Sequence, residues 1–301
     1  MLENHPKLKE LKFTLDRIFR NPTAFMGFAL LFFFIAIAVF APLIAPPKNI
    51  HNSYMIPHDG YGVTPKPPSE KYIFGTTTGQ YDIFYGVVWG TRTAFKIGIF
   101  VISIALFIGV SLGTIAGYYG GIIDETIMRL VDVVFAIPFL VLAMAIVVAF
   151  GRGLDNIMIA IAAIFWRNYV RVIRSGILTL RDQDFVEAAK IMGVSDFKIM
   201  IRHIIPNAVF PVMVIAFMDC GSIVLIAAFM SFLGLGAPLG YADWGQMVAM
   251  ARNYIVGPPG DPLKFWYTIF YPGTAIVMFV LAWNLIGDAL RDAFDPKLRR
   301  R

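Results

Sequence analysis

Long apolar blocks alternate with polar stretches along this chain, and the blocks have membrane-crossing length. Phe25 to Ala45 carries no charge over 21 residues. A helix needs about 20 such residues to cross a hydrocarbon layer of roughly 30 Å. Ile97 to Tyr118 and Val133 to Phe150 are equally free of charge. The gap between them carries Gly120, Gly121, Asp124, Glu125, Arg129 and Asp132, which predicts a tight turn. A fourth block begins near Asn156 and runs past Trp166 into a basic face. Val209 to Leu235 is the fifth, interrupted only by Asp219, and Phe265 to Gly287 is the sixth. Each block must close its own backbone hydrogen bonds in lipid, and a helix does that. The expected fold class is an all-α integral membrane protein with about six transmembrane helices, without a soluble domain or an internal repeat.

The polar stretches divide the chain further. Residues 1–24 carry Lys7, Lys9, Lys12, Arg17 and Arg20, with Leu8, Leu11, Leu15, Ile18 and Phe19 at helical spacing between them. This predicts an amphipathic cytoplasmic segment on the membrane surface. The block at 25–45 is too long for a signal-peptide core and reads as a retained first helix. Residues 46–93 form an extracytoplasmic excursion, and Pro46, Pro47, Pro57, Pro65, Pro67 and Pro68 argue against a long helix there. Residues 94–289 hold the other five helices and a polar loop at 182–206, and 290–301 is a basic cytoplasmic tail.

Composition agrees with the blocks. The 301 residues are 58% hydrophobic and 15% charged, against nearly half apolar and about a quarter charged in soluble domains. A single cysteine, Cys220, excludes an internal disulfide framework or a Cys-based metal site. The net charge of +6 sits at the ends of apolar blocks, not in a patch interleaved with aromatics, so nucleic acid is not the implied partner. Of the 26 lysines and arginines, 18 fall on one side if both termini are cytoplasmic, and 7 on the other, with Lys96 at a membrane edge. That bias predicts cytoplasmic termini.

The loop between the fourth and fifth blocks reads Asp184-Phe185-Val186-Glu187-Ala188-Ala189-Lys190-Ile191-Met192-Gly193-Val194-Ser195-Asp196. Asp184 can cap a helix start, and Gly193 sits where a left-handed residue would end it. Ser195 or Asp196 can start a second short helix that runs toward Pro206. The product is two short helices bent at a glycine. Ala188 and Ala189 leave a low surface there, Glu187 offers a charge, and Phe185, Ile191, Met192 and Phe197 offer apolar anchors.

The order Glu-Ala-Ala, three residues, Gly, then Ile-Pro resembles the "EAA" coupling loop of permease subunits in binding-protein-dependent ATP-binding-cassette importers. Further motifs resemble the C-type permeases of dipeptide and oligopeptide systems. They are Ala116-Gly117-Tyr118-Tyr119-Gly120-Gly121 with Met128-Arg129-Leu130-Val131-Asp132, Arg171-Val172-Ile173-Arg174, and His203-Ile204-Ile205-Pro206-Asn207. Ser231-Phe232-Leu233-Gly234-Leu235-Gly236, Asp243-Trp244-Gly245 and Asn284-Leu285-Ile286-Gly287-Asp288 follow in order, with Asp295-Pro296 after them. One stretch departs. Where the family has Gly-Thr-Asp-x-x-Gly-Arg-Asp, this chain has Gly75-Thr76-Thr77-Thr78-Gly79-Gln80-Tyr81-Asp82.

The resemblance implies a type I importer permease (MetI-like) fold with a cytoplasmic coupling loop. It implies half of a pore, paired with a B-type permease subunit, two ATP-binding subunits and an external solute-binding protein. The ATPase-coupling residues would be Phe185, Glu187, Ala188, Ala189, Met192, Gly193, Phe197 and Pro206. Peptide is the implied cargo, with oligosaccharide or nickel as alternatives among relatives.

The remaining chemistry is sparse. Asp219 lies near mid-membrane, where an ionisable group faces a bundle interior or a wet path. It is a candidate for the translocation path or for a hydrogen-bonded packing role. Arg167, Arg171, Arg174 and Arg181 share a helix face and read as a stripe toward anionic headgroups. His51 and His58 lack a third ligand, so no metal site is assigned. No phosphate-binding loop, hydrolase or dinucleotide motif occurs, so neither catalysis nor a cofactor is assigned. A secondary transporter driven by an ion gradient is the rival, and it would carry several intramembrane polar sites and broken helices.

Overall fold

The structure, a computed structural model, describes residues 21–49 and 52–294. The amphipathic segment expected at 1–24, most of the tail at 290–301, and His51 lie outside those residues. Helix α1 spans Pro22–Ile44, with Asn21 as its cap accepting from the Thr23 amide at 3.1 Å. Helix α2 spans Ile83–Tyr119, capped by the Asp82 carboxylate. It starts well before Ile97. Absence of charge marks the hydrocarbon depth, whereas this helix continues through the interface with Arg92 and Lys96 on it; Lys96 pairs with Asp155 at 2.9 Å.

The third block differs from expectation. Gly121–Ala136 (α3) and Phe139–Phe150 (α4) are two helices bent by 90°. Pro138 is the cause. It lacks an amide hydrogen and drives Ile137 to an extended conformation, φ −94° and ψ 130°. Five helices are long and apolar enough to cross a membrane, and the bent pair makes six if it counts as one span. The tight turn is confined to Gly120 and Gly121, since Asp124 to Asp132 are already helical.

The chain continues through α5 (Leu154–Leu180), α6 (Asp184–Ile191) and α7 (Asp196–Ile199). A π-helical segment, Met200–Ile204, joins α7 to α8 (Ile205–Phe232). A short helix α9 (Trp244–Met250) and the long α10 (Tyr267–Phe294) follow. Among the described residues there is no extended strand, only isolated bridges.

Helices α2 and α5 form the centre of the bundle. Gly109, Gly113 and Gly117 present a bare stripe, one residue per turn, to Tyr169, Ile173 and Ile177. Small residues at this spacing let backbones approach closely. Helix α10 packs on α8 and α1. Phe34, Phe95, Trp244, Phe279 and Trp283 interlock where these helices meet.

At the end where α2 starts, residues 52–82 fold onto 236–266 as a polar cap. The Ile56 amide donates to the Gly240 carbonyl (2.7 Å) and Ala242 to Tyr54 (2.8 Å). The Tyr254 hydroxyl donates to Val63 and the Thr78 hydroxyl to Met250, both at 3.0 Å. The departing run lies in this cap. Gln80 occupies the place of the family's second glycine, and at φ 60° it is the one non-glycine residue in the left-handed region among those described. Its buried amide donates to the Gly62 and Thr64 carbonyls, which offsets the strain. His58 Nδ1–H donates to the Gly60 carbonyl (2.8 Å), and the ring stands between Tyr61 and Tyr81.

Asp243 caps α9 from a buried position, accepting from the Gly245 amide at 3.1 Å. Burial pushes its carboxyl up to about 6, against a partial pull downward from the Ser231 hydroxyl and that amide. A raised carboxyl keeps its proton in the fold at a pH where the unfolded chain has lost it. Its contribution to stability is therefore fully present in acid and is lost as pH rises from about 4 through about 6, on the order of 2–3 kcal/mol. Asp243→Asn keeps the cap and removes the titration. In thermal unfolding in detergent between pH 4 and 8, the wild type should lose stability relative to this variant as pH rises from about 4 through about 6. Parallel profiles would refute the assignment.

Candidate coupling site

At the opposite end of the bundle, α6 and α7 form the bent pair. Gly193 has φ +77°. The Gly193 amide donates to Lys190 at 3.0 Å and the Val194 amide to Ala189 at 3.1 Å. This is the paired closure that ends a helix at a left-handed residue. The first helix is capped at Gln183, one residue before Asp184, which lies in the first turn with Glu187. Ser195 precedes α7 as expected.

Buried side chains hold the pair to the bundle. Val186 and Ile199 are fully buried, and Ala189 is 3% exposed. The Tyr118 hydroxyl, at the end of α2, donates to Asp196 Oδ1 at 2.6 Å. Lys190 lies over the Tyr118 ring, 5.3 Å from its centroid. Arg181 donates to the Gly117 carbonyl at 3.0 Å. Each end of the hinge is thus tied to the last turn of α2.

The outer face exposes large apolar side chains among charged ones. Ile191 is 87% exposed, Met192 74%, Phe197 70% and Phe185 41%. Glu187 and Ala188 are exposed beside them. Two expected members stand apart. Ala189 faces inward, so Ala188 alone supplies the low surface. Pro206 does not open a helix: Asp196 to Phe232 is one continuous helix, and Pro206 is its exposed eleventh residue. The π segment explains how the helix passes the proline, because Ile205 donates to Met200, five residues back, before the residue that lacks a donor.

The arginine stripe faces protein. Arg174 forks onto Asp124, Arg171 meets Asp132 at 2.7 Å, and Arg167 donates to the Val134 carbonyl. Arg167 and Arg171 lie over Phe135, at 4.3 and 3.9 Å. The headgroup reading is thereby corrected: these arginines clamp α3 to α5. Asp124 and Asp132 on the neighbouring segment were the sequence signal for it. Asp219 is away from the hinge and accepts from the Tyr169 hydroxyl at 3.0 Å, linking α8 to α5. Tyr118, within the Ala116 to Gly121 motif, is the residue of α2 that holds Asp196. Its place two residues before the Gly120-Gly121 turn was the available hint. Among the described residues no group of three or more His, Cys, Asp or Glu could hold a metal ion.

Residues 109–300 match the family described as binding-protein-dependent transport system inner membrane component. Residues 12–60 match the N-terminal TM domain of oligopeptide transport permease C. The chain is 38% identical over 280 residues to the dipeptide transport system permease protein DppC of Alkalihalophilus pseudofirmus, covering 93% of this chain and 88% of that one. It is 41% identical over 231 residues to the probable D,D-dipeptide transport system permease protein DdpC of Escherichia coli, covering 77% and 75%. It is 38% identical over 251 residues to the glutathione transport system permease protein GsiD of Pectobacterium atrosepticum, covering 82% and 81%. All three carry the name of a permease protein of a transport system. With its helical bundle and a family match over most of its length, the chain belongs to the inner membrane components of binding-protein-dependent transport systems, as a multi-pass permease subunit of the dipeptide and oligopeptide C type.

Proposed function

We propose that this permease forms one half of a pore that imports small peptides, and that the bent pair α6–α7 is where an ATP-binding subunit grips it. The other half is a B-type permease, a second ATP-binding subunit completes the motor, and an external binding protein delivers the solute. The hinge and both termini face the cytoplasm, as the basic bias predicts. The observation that carries this is the exposure of Ile191, Met192 and Phe197, with Glu187 exposed on the same bent pair, on a knob whose base is tied to α2. Such a patch on a rigid support suits a protein partner. ATP binding then biases a two-state bundle through this knob. Similar chains carry names for dipeptide, D,D-dipeptide and glutathione transport, and this supports the choice of cargo.

Asp219 is partly exposed at membrane depth. A carboxylate there does not face lipid. It belongs to the wall of the translocation path, oriented by Tyr169.

The test is co-reconstitution in liposomes with the second permease, both ATP-binding subunits and the binding protein, using labelled dipeptide. Uptake should require ATP and every subunit. Glu187→Lys should lower uptake by roughly tenfold with the permease still inserted. Uptake by this chain alone on an ion gradient would replace the reading with a secondary carrier. ATP-driven uptake of an oligosaccharide or nickel in place of peptide would keep the machine and change the cargo.

A further inference from the structure

A groove of about 850 Å³ runs between α1 and α2, with Leu31, Ile35 and Val39 on one wall and Phe95, Ile99 and Ser103 on the other. Arg92, Lys96 and Tyr54 stand at its cap end. The groove is thus charged at one end and apolar along its length. Arg92 makes no ion pair among the described residues and lies 5.2 Å from the Trp89 ring. Lys96 pairs with Asp155, but both side chains remain exposed, at 47% and 76%. Trp89, Tyr54 and Tyr241 form an aromatic cluster at the same level, as at a membrane–water interface. From Arg92 to Ser103 the helix rises about 16 Å, close to half of a roughly 30 Å hydrocarbon layer. The wall of α1 is open to lipid: Ile35 is 42% exposed and Val39 60%, and Phe32, Phe40 and Leu43 beside them are 52% to 77% exposed.

We propose that this groove holds one phospholipid, its phosphate on Arg92 and one acyl chain laid along α2 past Ile99 to Ser103. Two further observations fit that occupant. Trp283 lines the groove against Phe95, one turn below Arg92. An ester oxygen of a lipid seated by its phosphate lies at that depth. Beyond Ser103 a slot of about 140 Å³, shared through Ile99, Ser103 and Trp283, leads between Met213 and Phe217 and takes the end of the chain. A guanidinium suits a phosphodiester because it offers paired donors and remains charged. A pore wall would be wetter than this lining, and a peptide would find no anchor for its amides.

The experiment uses the intact importer, reconstituted in nanodiscs of phosphatidylglycerol and phosphatidylethanolamine, extracted, and weighed by native mass spectrometry after detergent washing. Wild type is expected to retain one phospholipid that Arg92→Gln loses. Ile99→Trp, which fills the groove and leaves Arg92 in place, should lose the same lipid. Val39→Trp blocks from the α1 side and serves if Arg92→Gln fails to assemble. Equal retention by wild type and variants, or no lipid on the wild type, would overturn the proposal. So would a cross-link from Val39→Cys to the second permease, which would put protein in the groove.

Discussion

Gly193→Val should leave the permease inserted and assembled yet reduce uptake per ATP hydrolysed by roughly tenfold or more. No neighbour forbids the side chain, since a Cβ on Gly193 would meet nothing within 4 Å. The objection is conformational. At φ +77° a β-branched residue is strained by about 1–3 kcal/mol. The chain escapes that strain by opening the closure at Lys190 and Ala189, which turns Met192 away from Phe197. Gly193→Asn is the control, because asparagine tolerates the left-handed region. It should keep most of the coupling. Tyr118→Phe separates docking from transmission: the knob keeps its surface and loses the Asp196 hydrogen bond that ties α7 to α2. Binding-protein-stimulated hydrolysis should persist in that variant while uptake falls. If Val and Asn at 193 behave alike, the bend is not what couples.

Gly113→Leu should abolish the folded protein. Its Cβ would stand 2.2 Å from Ile173 Cγ2 and 2.7 Å from the Val170 carbonyl oxygen. A side chain can move aside, but a helix backbone cannot, so α2 and α5 must separate along their shared length. Overpacking a core costs about 1–3 kcal/mol where side chains alone give way, and this site exceeds that. Gly176→Ala is the matched control, since its Cβ would meet Ala208 at an ordinary 3.6 Å. Size-exclusion profiles after mild solubilisation should show loss of the main peak for Gly113→Leu and none for Gly176→Ala. A monodisperse Gly113→Leu protein would show that the stripe does not set the helix spacing.

Much of this architecture is legible from the chain, for identifiable reasons. Uncharged blocks locate hydrocarbon depth because charge is costly there, and α1, α8 and α10 follow from that alone. Gly193 is legible because a helical run stops at a residue that alone accepts a left-handed turn at no cost. What escaped depends on contacts between segments distant in sequence. Pro138 breaks the third block, yet a search for apolar length passes over a single proline. The arginines of α5 find acids on α3, and periodicity within one helix cannot show a partner on another. Pro206 misleads in the other direction, since the π segment lets a helix run through a residue that usually marks its start. The spacing Gly109-x-x-x-Gly113-x-x-x-Gly117 was present as a packing signal and needed only to be read as one.

The unbroken helix from Asp196 to Phe232 has a mechanical consequence. At 37 residues it is about 55 Å long, enough to emerge from both faces of the bilayer. One end is the second arm of the grip. The other holds the Arg252 guanidinium at the Phe232 carbonyl, 2.8 Å away, inside the cap. Hinge and cap thus share a single rod, softened at the wide turn at Met200 to Ile204 and again at Pro211. Under the proposed coupling, a tilt imposed at the Asp196 end would reach the cap without crossing a loop, as a lever stroke.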